Sequence, residues 1–252
     1  MSEAAALHDA LVQMWARLYA RIEGARFEQR PGLVLAVCPD FPIPQCNGPW
    51  VEEDSRSAVD ALPEAIAEVD AAGAQPWVQT RSGHERVREA TRALGFTNEE
   101  RLPGMVVRPD ELREPPVEID ISLLAEDDLD TAVEILATSF QAPPELFDRF
   151  AVVLRALPEA SWYVGRVGGA IVSTALGVTL EGATGVFNVA TPPEHRRRGY
   201  GAALTARAVR DGFDAGAAFG YLQSSAAGHR VYRALGFRDV EEYVLLSRPV
   251  PG

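Results

Sequence analysis

The stretch from Val189 to Thr205 reads VATPPEHRRRGYGAALT. An aliphatic run, Ala183 to Ala190, leads into it, and an alanine-rich amphipathic run, Gly199 to Ala215, leads out. The order is strand, loop, helix. Gly199 and Gly201 allow the backbone to wrap tightly with its N–H groups turned inward. A helix N-terminus adds partial positive charge at the same place. Arg196, Arg197 and Arg198 add full charge and forked donors. Arginine opposes the dipole at a helix N-terminus, so three in succession are not explained by helix stability. They point to a bound phosphate or pyrophosphate.

Working outward, the same sequence of elements occurs twice. Downstream of the loop come a strand (Phe219 to Ser224), a helix (Gly228 to Leu235) and a closing strand (Val240 to Ser247). Upstream, Val117 to Leu124 alternates as a strand. Asp127 and Asp128 open a helix, Pro143-Pro144 open a second over Leu146 to Leu157, and Trp162 to Val167 and Ala170 to Val178 read as strands joined by Gly168-Gly169. The first half offers an amphipathic helix over 3–23 stopped by Gly24, then strands at Leu33 to Val37 and Asn47 to Glu53. A helix from about Ser57 to Ala72 ends at Gly73, a strand spans Pro76 to Thr80, and a helix spans Glu85 to Leu94. A strand or hairpin over about 97–109 closes it. Ala93-Leu94-Gly95-Phe96 returns as Ala234-Leu235-Gly236-Phe237, and Trp77-Val78-Gln79-Thr80 resembles Tyr221-Leu222-Gln223-Ser224. Asp70 to Gly73 resembles Phe213 to Gly216, and Gly48 to Val51 can be laid on Gly185 to Asn188. The first copy is six residues shorter just after that last strand, where it has Glu52 to Ser57 in place of the basic loop. Pro109 to Pro116, charged and rich in proline, reads as a connection. The division expected is residues 1–110, a partial copy; 111–116, a linker; and 117–252, a complete copy.

Composition narrows the function. The chain has 252 residues, 47% hydrophobic and 24% charged, with a net charge of −12. All 24 basic residues are arginine, and each half holds twelve of them against eighteen carboxylates. That balance disfavours nucleic acid and anionic membrane surfaces and is compatible with a small cationic substrate. No apolar run is long enough for a membrane span, and the N-terminus has no signal-peptide pattern, so a cytoplasmic location is expected. Cys38 and Cys46 read as free thiols, too few for a disulfide scaffold or a zinc site.

Val189 to Thr205 resembles the R/Q-x-x-G-x-G/A coenzyme A loop of the GNAT superfamily of acyl-CoA N-acyltransferases. Ser225 to Phe237 (SAAGHRVYRALGF) is similar to that family's following strand–helix segment. The resemblance covers 117–248 almost end to end, and residues 1–110 look like a truncated copy without the first strand and the loop. It implies an α+β (mixed α/β) fold with a central mixed sheet flanked by helices. It implies acetyl-CoA as co-substrate and no metal. Arg196, Arg197, Arg198, Gly199, Tyr200, Gly201 and Ala202 would hold the pyrophosphate, and Val189, Ala190 and Thr191 would pair with the pantetheine arm. The Val189 N–H would polarise the acetyl carbonyl. Ser225 and Gly228 would lie near the coenzyme, and Tyr232 would be the general acid. In the first copy the Tyr232 position holds Thr91.

The general base is the gap in this reading. The strand before the loop offers Asn188, which cannot take a proton. Glu181, Glu145 or a water chain remain, with His195 as a lesser candidate; His229 reads as a surface or ribose contact. Trp50, Trp77 or the segment Phe41 to Pro44 would shape the acceptor cleft. The function expected is acetyl transfer to a primary amine of a small molecule by direct attack. A non-catalytic acyl-CoA sensor and a protein N-acetyltransferase stay open as alternatives, and a homodimer is compatible.

Overall fold

The computed structural model describes residues 2–41, 46–155 and 157–249. Two compact units divide the chain, Met1–Met14 with Met105–Val240 (the larger) and Trp15–Gly104 with Glu241–Gly252 (the smaller).

The larger unit contains β6 (Asp120–Leu123), α4 (Leu129–Phe140), α5 (Pro144–Arg155), β7 (Ala160–Val167), β8 (Ala170–Leu180), β9 (Ala183–Ala190), α6 (Tyr200–Asp214), β10 (Phe219–Gln223) and α7 (His229–Ala234). It also holds the N-terminal part of α1 (Glu3–Tyr19), the end of β5 (Asn98–Val107) and the start of β11 (Arg238–Ser247). Its strand order is β5-β10-β9-β8-β7-β6. β9 and β10 are parallel; the β6–β7, β7–β8 and β8–β9 pairs are antiparallel. The apolar stripe of α6 explains its seat. Leu204 and Val209 are fully buried against Tyr163, Ala175, Val186 and Leu222. Each such aliphatic side chain contributes roughly 1.5–3 kcal/mol by leaving water.

In the smaller unit the order is β1-β2-β3-β4-β11-β5, with β1 (Arg26–Arg30), β2 (Leu33–Val37), β3 (Gly48–Val51) and β4 (Trp77–Arg81). α2 (Arg56–Ala71) and α3 (Glu85–Ala93) cover one face through Leu62, Ile66, Val69 and Val87, which meet Leu33, Leu35, Val78 and Val244. The other face carries Trp50, which meets Trp15 edge-on at 5.5 Å and Phe27 at 6.0 Å. This mixed sheet-and-helix architecture is the fold class expected from the sequence.

The element order matches expectation, with differences that have local causes. β1, sequence RFEQR, has no aliphatic signal, yet it pairs with all of β2 across the Pro31-Gly32 turn. α1 ends at Tyr19 rather than at Gly24, because Arg21 and Ile22 already donate to Leu18 and Tyr19 in tight turns. β6 starts at Asp120, since the Val117 N–H turns back to the Pro115 carbonyl at 2.8 Å.

The division at 110 and 117 differs from the compact units. Tyr243–Ser247 of the last strand pair with β4 in the smaller unit, while Met105–Val107 of β5 stand in the larger unit beside β10. Each unit therefore takes part of both strands: Met105–Val107 and Arg238–Val240 belong to the larger, Asn98–Gly104 and Glu241–Ser247 to the smaller. The expected linker is partly pinned within the larger unit. The Arg113 N–H caps the Leu235 carbonyl at 2.9 Å, and Glu111 pairs with Arg238 at 2.7 Å.

Cys38 and Cys46 are free and buried. Burial pushes the Cys38 thiol up to about 11 and the Cys46 thiol up to about 12, from an ordinary 9.0. The unfolded chain therefore releases these protons first, and stability that is full below pH 9 is lost as pH rises toward 11–12. Urea midpoints should fall between pH 8 and pH 10 by the equivalent of about 2–3 kcal/mol. An unchanged midpoint would contradict the buried-thiol environment.

Candidate functional site

The loop from Thr191 to Gly199 joins β9 to α6. A single 3-10 turn at Pro193–His195 reverses the chain, Arg197 takes a left-handed φ of 62°, and Gly199 takes a φ of 83° as the residue before α6. An ideal Cβ on Gly199 would lie 2.5 Å from Val117 Cγ2. One on Gly201 would lie 3.2 Å from Val189 Cγ1 and 3.5 Å from Thr191 Oγ1. Glycine is needed at 199 for conformation and space, and at 201 for close approach of α6 to the end of β9.

The backbone N–H groups from Arg197 through Ala202 have no acceptor among the described residues; the first helical bond is Ala203 N–H to Gly199 at 3.0 Å. The first turn of α6 therefore leaves its N–H donors open. The side chains of Arg196, Arg197 and Arg198 are exposed and enter no ion pair among the described residues, whereas most arginines of the chain do. Arg196 differs from the sequence expectation in one respect. Its Nε donates to the Thr191 carbonyl at 2.9 Å, so part of its guanidinium braces the loop.

The smaller unit supplies the contrast. There α2 begins with Ser55, whose Oγ accepts from the Ala58 N–H at 3.2 Å. The Asp54 carboxylate accepts from the N–H groups of Val87 at 2.9 Å and Arg86 at 3.3 Å at the start of α3. Those helix starts are filled by the chain's own oxygens. The start of α6 is left open.

Beside the loop, the central strands part. β9 and β10 pair from Ala183↔Phe219 to Gly185↔Tyr221 and no further. Two local features drive this. Asn188 has a left-handed φ of 50°, and the β8–β9 register shifts between Thr174 and Leu176, a bulge. The Phe187 and Tyr221 rings meet edge-on at 6.0 Å, and both crowd the Cβ position of Gly185. The β10-facing backbone edge of β9 beyond Val186, including Val189 and Ala190, is thereby freed from the ladder. Asparagine at 188 suits that backbone, since it tolerates a left-handed conformation.

Tyr232, on α7, stacks edge-on against Phe237 at 5.9 Å and lies under Gly228, whose Cβ position is 2.8 Å from the Tyr232 ring. Its hydroxyl makes no hydrogen bond among the described residues, and burial pushes the phenol up to about 12. Ser225 Oγ accepts from the Gly228 N–H at 3.2 Å, and Ser224 Oγ donates to the Ser225 carbonyl at 2.8 Å, fixing the turn before α7. Thr91, at the corresponding place in α3, is fully buried and donates to the Val87 carbonyl at 2.8 Å, which leaves its only proton engaged.

The base candidates fare unevenly. Glu181 sits in the β8–β9 turn, before β9 begins, whereas Val189 is near its end. At about 3.3 Å per residue the two are roughly 25 Å apart, so Glu181 is no base for chemistry at Val189. Glu145 is exposed in the first turn of α5. His195 is half-buried in the loop's 3-10 turn. His229 is held by Asp239 at 2.7 Å, which Arg233 also grips at 2.9 Å. Trp50 is buried and Trp77 half-buried in the smaller unit; Pro42 to Pro44 lie outside the described residues. Among the described residues no three His, Cys, Asp or Glu side chains form a metal-holding group, and no helix is long and apolar enough to cross a membrane.

Sequence reasoning missed two residues here. Ser173 is fully buried and bonded to the end of β9. Gln223 closes β10 beyond the parting point, with its buried Nε2 unpaired. The one signal for Gln223 was its recurrence as Gln79 in the repeat, whose amide is also unpaired.

The larger unit thus sets an open, arginine-flanked helix start beside a parting parallel strand pair in a mixed sheet. Residues 120–240 match the family model described as Acetyltransferase (GNAT) domain, and this part of the chain is a GNAT acetyltransferase domain. Over the whole chain the fold is similar to a GCN5-related N-acetyltransferase from Kribbella flavida, with TM-score 0.74 and 22% identity, covering 100% of this chain and 97% of that one. It is also similar to a functionally unknown conserved protein from Staphylococcus epidermidis ATCC 12228 (TM-score 0.69, 12% identity, 91% of this chain and 96% of that one). A GCN5-related N-acetyltransferase from Sphaerobacter thermophilus gives TM-score 0.61 at 20% identity, covering 81% of this chain and 74% of that one. At these identities the likeness is one of fold. No curated protein matches the chain. The acetyltransferase assignment is that of residues 120–240.

Proposed function

We propose that the protein transfers an acetyl group from acetyl-CoA to a primary amine of a small molecule by direct attack. The observation that carries this is the open start of α6, with N–H groups that have no acceptor and three arginines that form no ion pair among the described residues, set beside the parted end of β9. The residues fit the coenzyme. The tight approach at Gly201 keeps the cradle clear of side chains, and the donors suit a pyrophosphate. Acetyl-CoA, when bound, supplies an activated acyl thioester. The backbone N–H groups of Arg197 to Ala202 hold its anionic part, with Arg197 and Arg198 adding charge and Arg196 divided between that task and the loop. The edge of β9 at Val189 to Thr191 aligns the pantetheine arm, and the Val189 N–H polarises the acyl carbonyl. The Tyr232 hydroxyl gives its proton to the departing sulfur, while Ser225 and Gly228 set the turn that places it.

We further propose that the smaller unit is a degenerate copy of the domain. The order β3-α2-β4-α3-β5 repeats that of β9-α6-β10-α7-β11, with self-filled helix starts and Thr91 in place of the tyrosine. The net charge of −12 favours a cationic acceptor.

Calorimetry with acetyl-CoA followed by a thiol-release assay over small amines and peptide N-termini tests the reading. Binding with release on a small amine is expected. Binding without release on any acceptor would make the protein a sensor, and release on peptides alone would make it a protein acetyltransferase. The chain contains no lysine, so acetylation of its own side-chain amines adds no background.

A further inference from the structure

We infer that Ser173 is a positioning residue for the coenzyme loop, linking the buried strand β8 to the start of α6. This rests on reading that loop as the acetyl-CoA site. Past the bulge at Asn188 the last β8–β9 pair is Thr174↔Ala190, and β10 has already parted from β9. Side-chain bonds from Ser173 then extend the hold of β8 on the strand end. Ser173 is fully buried, and its Oγ lies 2.8 Å from the Ala190 carbonyl and 2.8 Å from Thr191 Oγ1.

A serine hydroxyl has one proton. The Ala190 carbonyl can only accept, so the Ser173 proton goes there. The contact with Thr191 must then run the other way, with the Thr191 hydroxyl donating to Ser173 Oγ. That fixes the Thr191 side chain against β8. The Thr191 carbonyl in turn receives Arg196 Nε at 2.9 Å, and Thr191 Oγ1 lies 3.5 Å from the Cβ position of Gly201 in the first turn of α6. The chain of contacts runs from β8 through Ser173 and Thr191 to Arg196 of the loop, with the first turn of α6 close by at Gly201. Its function is to set the spacing between the β9 edge and the N–H groups of Arg197 to Ala202.

Ser173→Ala removes one oxygen from a strand position that alanine fits, and it leaves the Ala190 carbonyl and Thr191 hydroxyl without their partner. Affinity for acetyl-CoA, measured by calorimetry, should fall about 10-fold. Ser173→Thr restores the hydroxyl and should recover affinity to within about threefold. Thr191→Val cuts the same link from its other side, and should weaken binding about 10-fold even if Ser173→Ala proves poorly folded. The double variant should be no weaker than either single one, because both break one chain. A lowered Tm with unchanged acetyl-CoA affinity in either single variant would overturn the inference, as would additive losses in the double. Wild-type protein that fails to bind acetyl-CoA would instead bring down the coenzyme reading itself, a result that is separate and read first.

Discussion

Gly199→Glu should abolish measurable acetyl-CoA binding, weakening it at least about 100-fold, while the far-ultraviolet circular dichroism stays that of the wild type. Three effects add. Gly199 has a φ of 83°, a conformation that costs an L-residue roughly 1 kcal/mol. Its Cβ would meet Val117 Cγ2 at 2.5 Å, displacing either Val117 or the loop. The carboxylate would then sit at the open helix start and compete for the N–H groups of Arg197 to Ala202, while repelling a phosphate. The smaller unit already displays that end state, since Asp54 accepts the Val87 N–H at 2.9 Å and closes the start of α3. Gly199→Ala carries the strain and the clash without the charge, so its loss should be smaller, about 10-fold. Calorimetry on both separates the contributions. A Gly199→Glu protein that binds acetyl-CoA like the wild type would remove this loop from the site.

The sequence made this loop legible because its chemistry is local. Glycines that need a left-handed or crowded backbone and arginines that oppose a dipole announce themselves within six residues. The helices were legible for the same reason: α2 and α3 carry an apolar period and stop near Gly73 and Gly95. What stayed hidden depends on partners distant in sequence. β1 is a half-exposed strand, polar but for Phe27, that exists because β2 offers it an edge. The division of β5 and β11 between the units is a matter of which strand reaches which edge, and no local pattern encodes that. The parting of β9 from β10 comes from one left-handed asparagine and a bulge against β8, whereas Asn188 read from sequence alone is only a missing base. Ser173 is a single small polar residue in an apolar strand, ordinary until its oxygen is seen against Ala190 and Thr191.

Tyr232→Phe should lower kcat about 100-fold with the best amine of the panel and leave the acetyl-CoA KM within about twofold, the pattern of a group needed only as the thioester breaks. The ring would keep its edge-on contact with Phe237 and its place beneath Gly228, so packing changes little. Only the hydroxyl goes, and it makes no hydrogen bond within the described protein whose loss could disturb the fold. The environment also fixes the sign of the pH effect. Burial holds the phenol at about 12, above its ordinary 10.0, so it is protonated throughout the working range and is a weaker acid than a free phenol. Against a thiolate of pKa about 8.5 or higher, full transfer is uphill, and the proton moves only as negative charge builds on the sulfur. Wild-type kcat should therefore show no alkaline fall from this group below about pH 11, where a phenol at its ordinary value would begin to fail near 10. An alkaline limb at pH 9–10 that disappears in Tyr232→Phe would contradict the buried environment. Full turnover in Tyr232→Phe would show that the departing sulfur takes its proton from elsewhere, and the acid assignment would fall while the loop assignment stood.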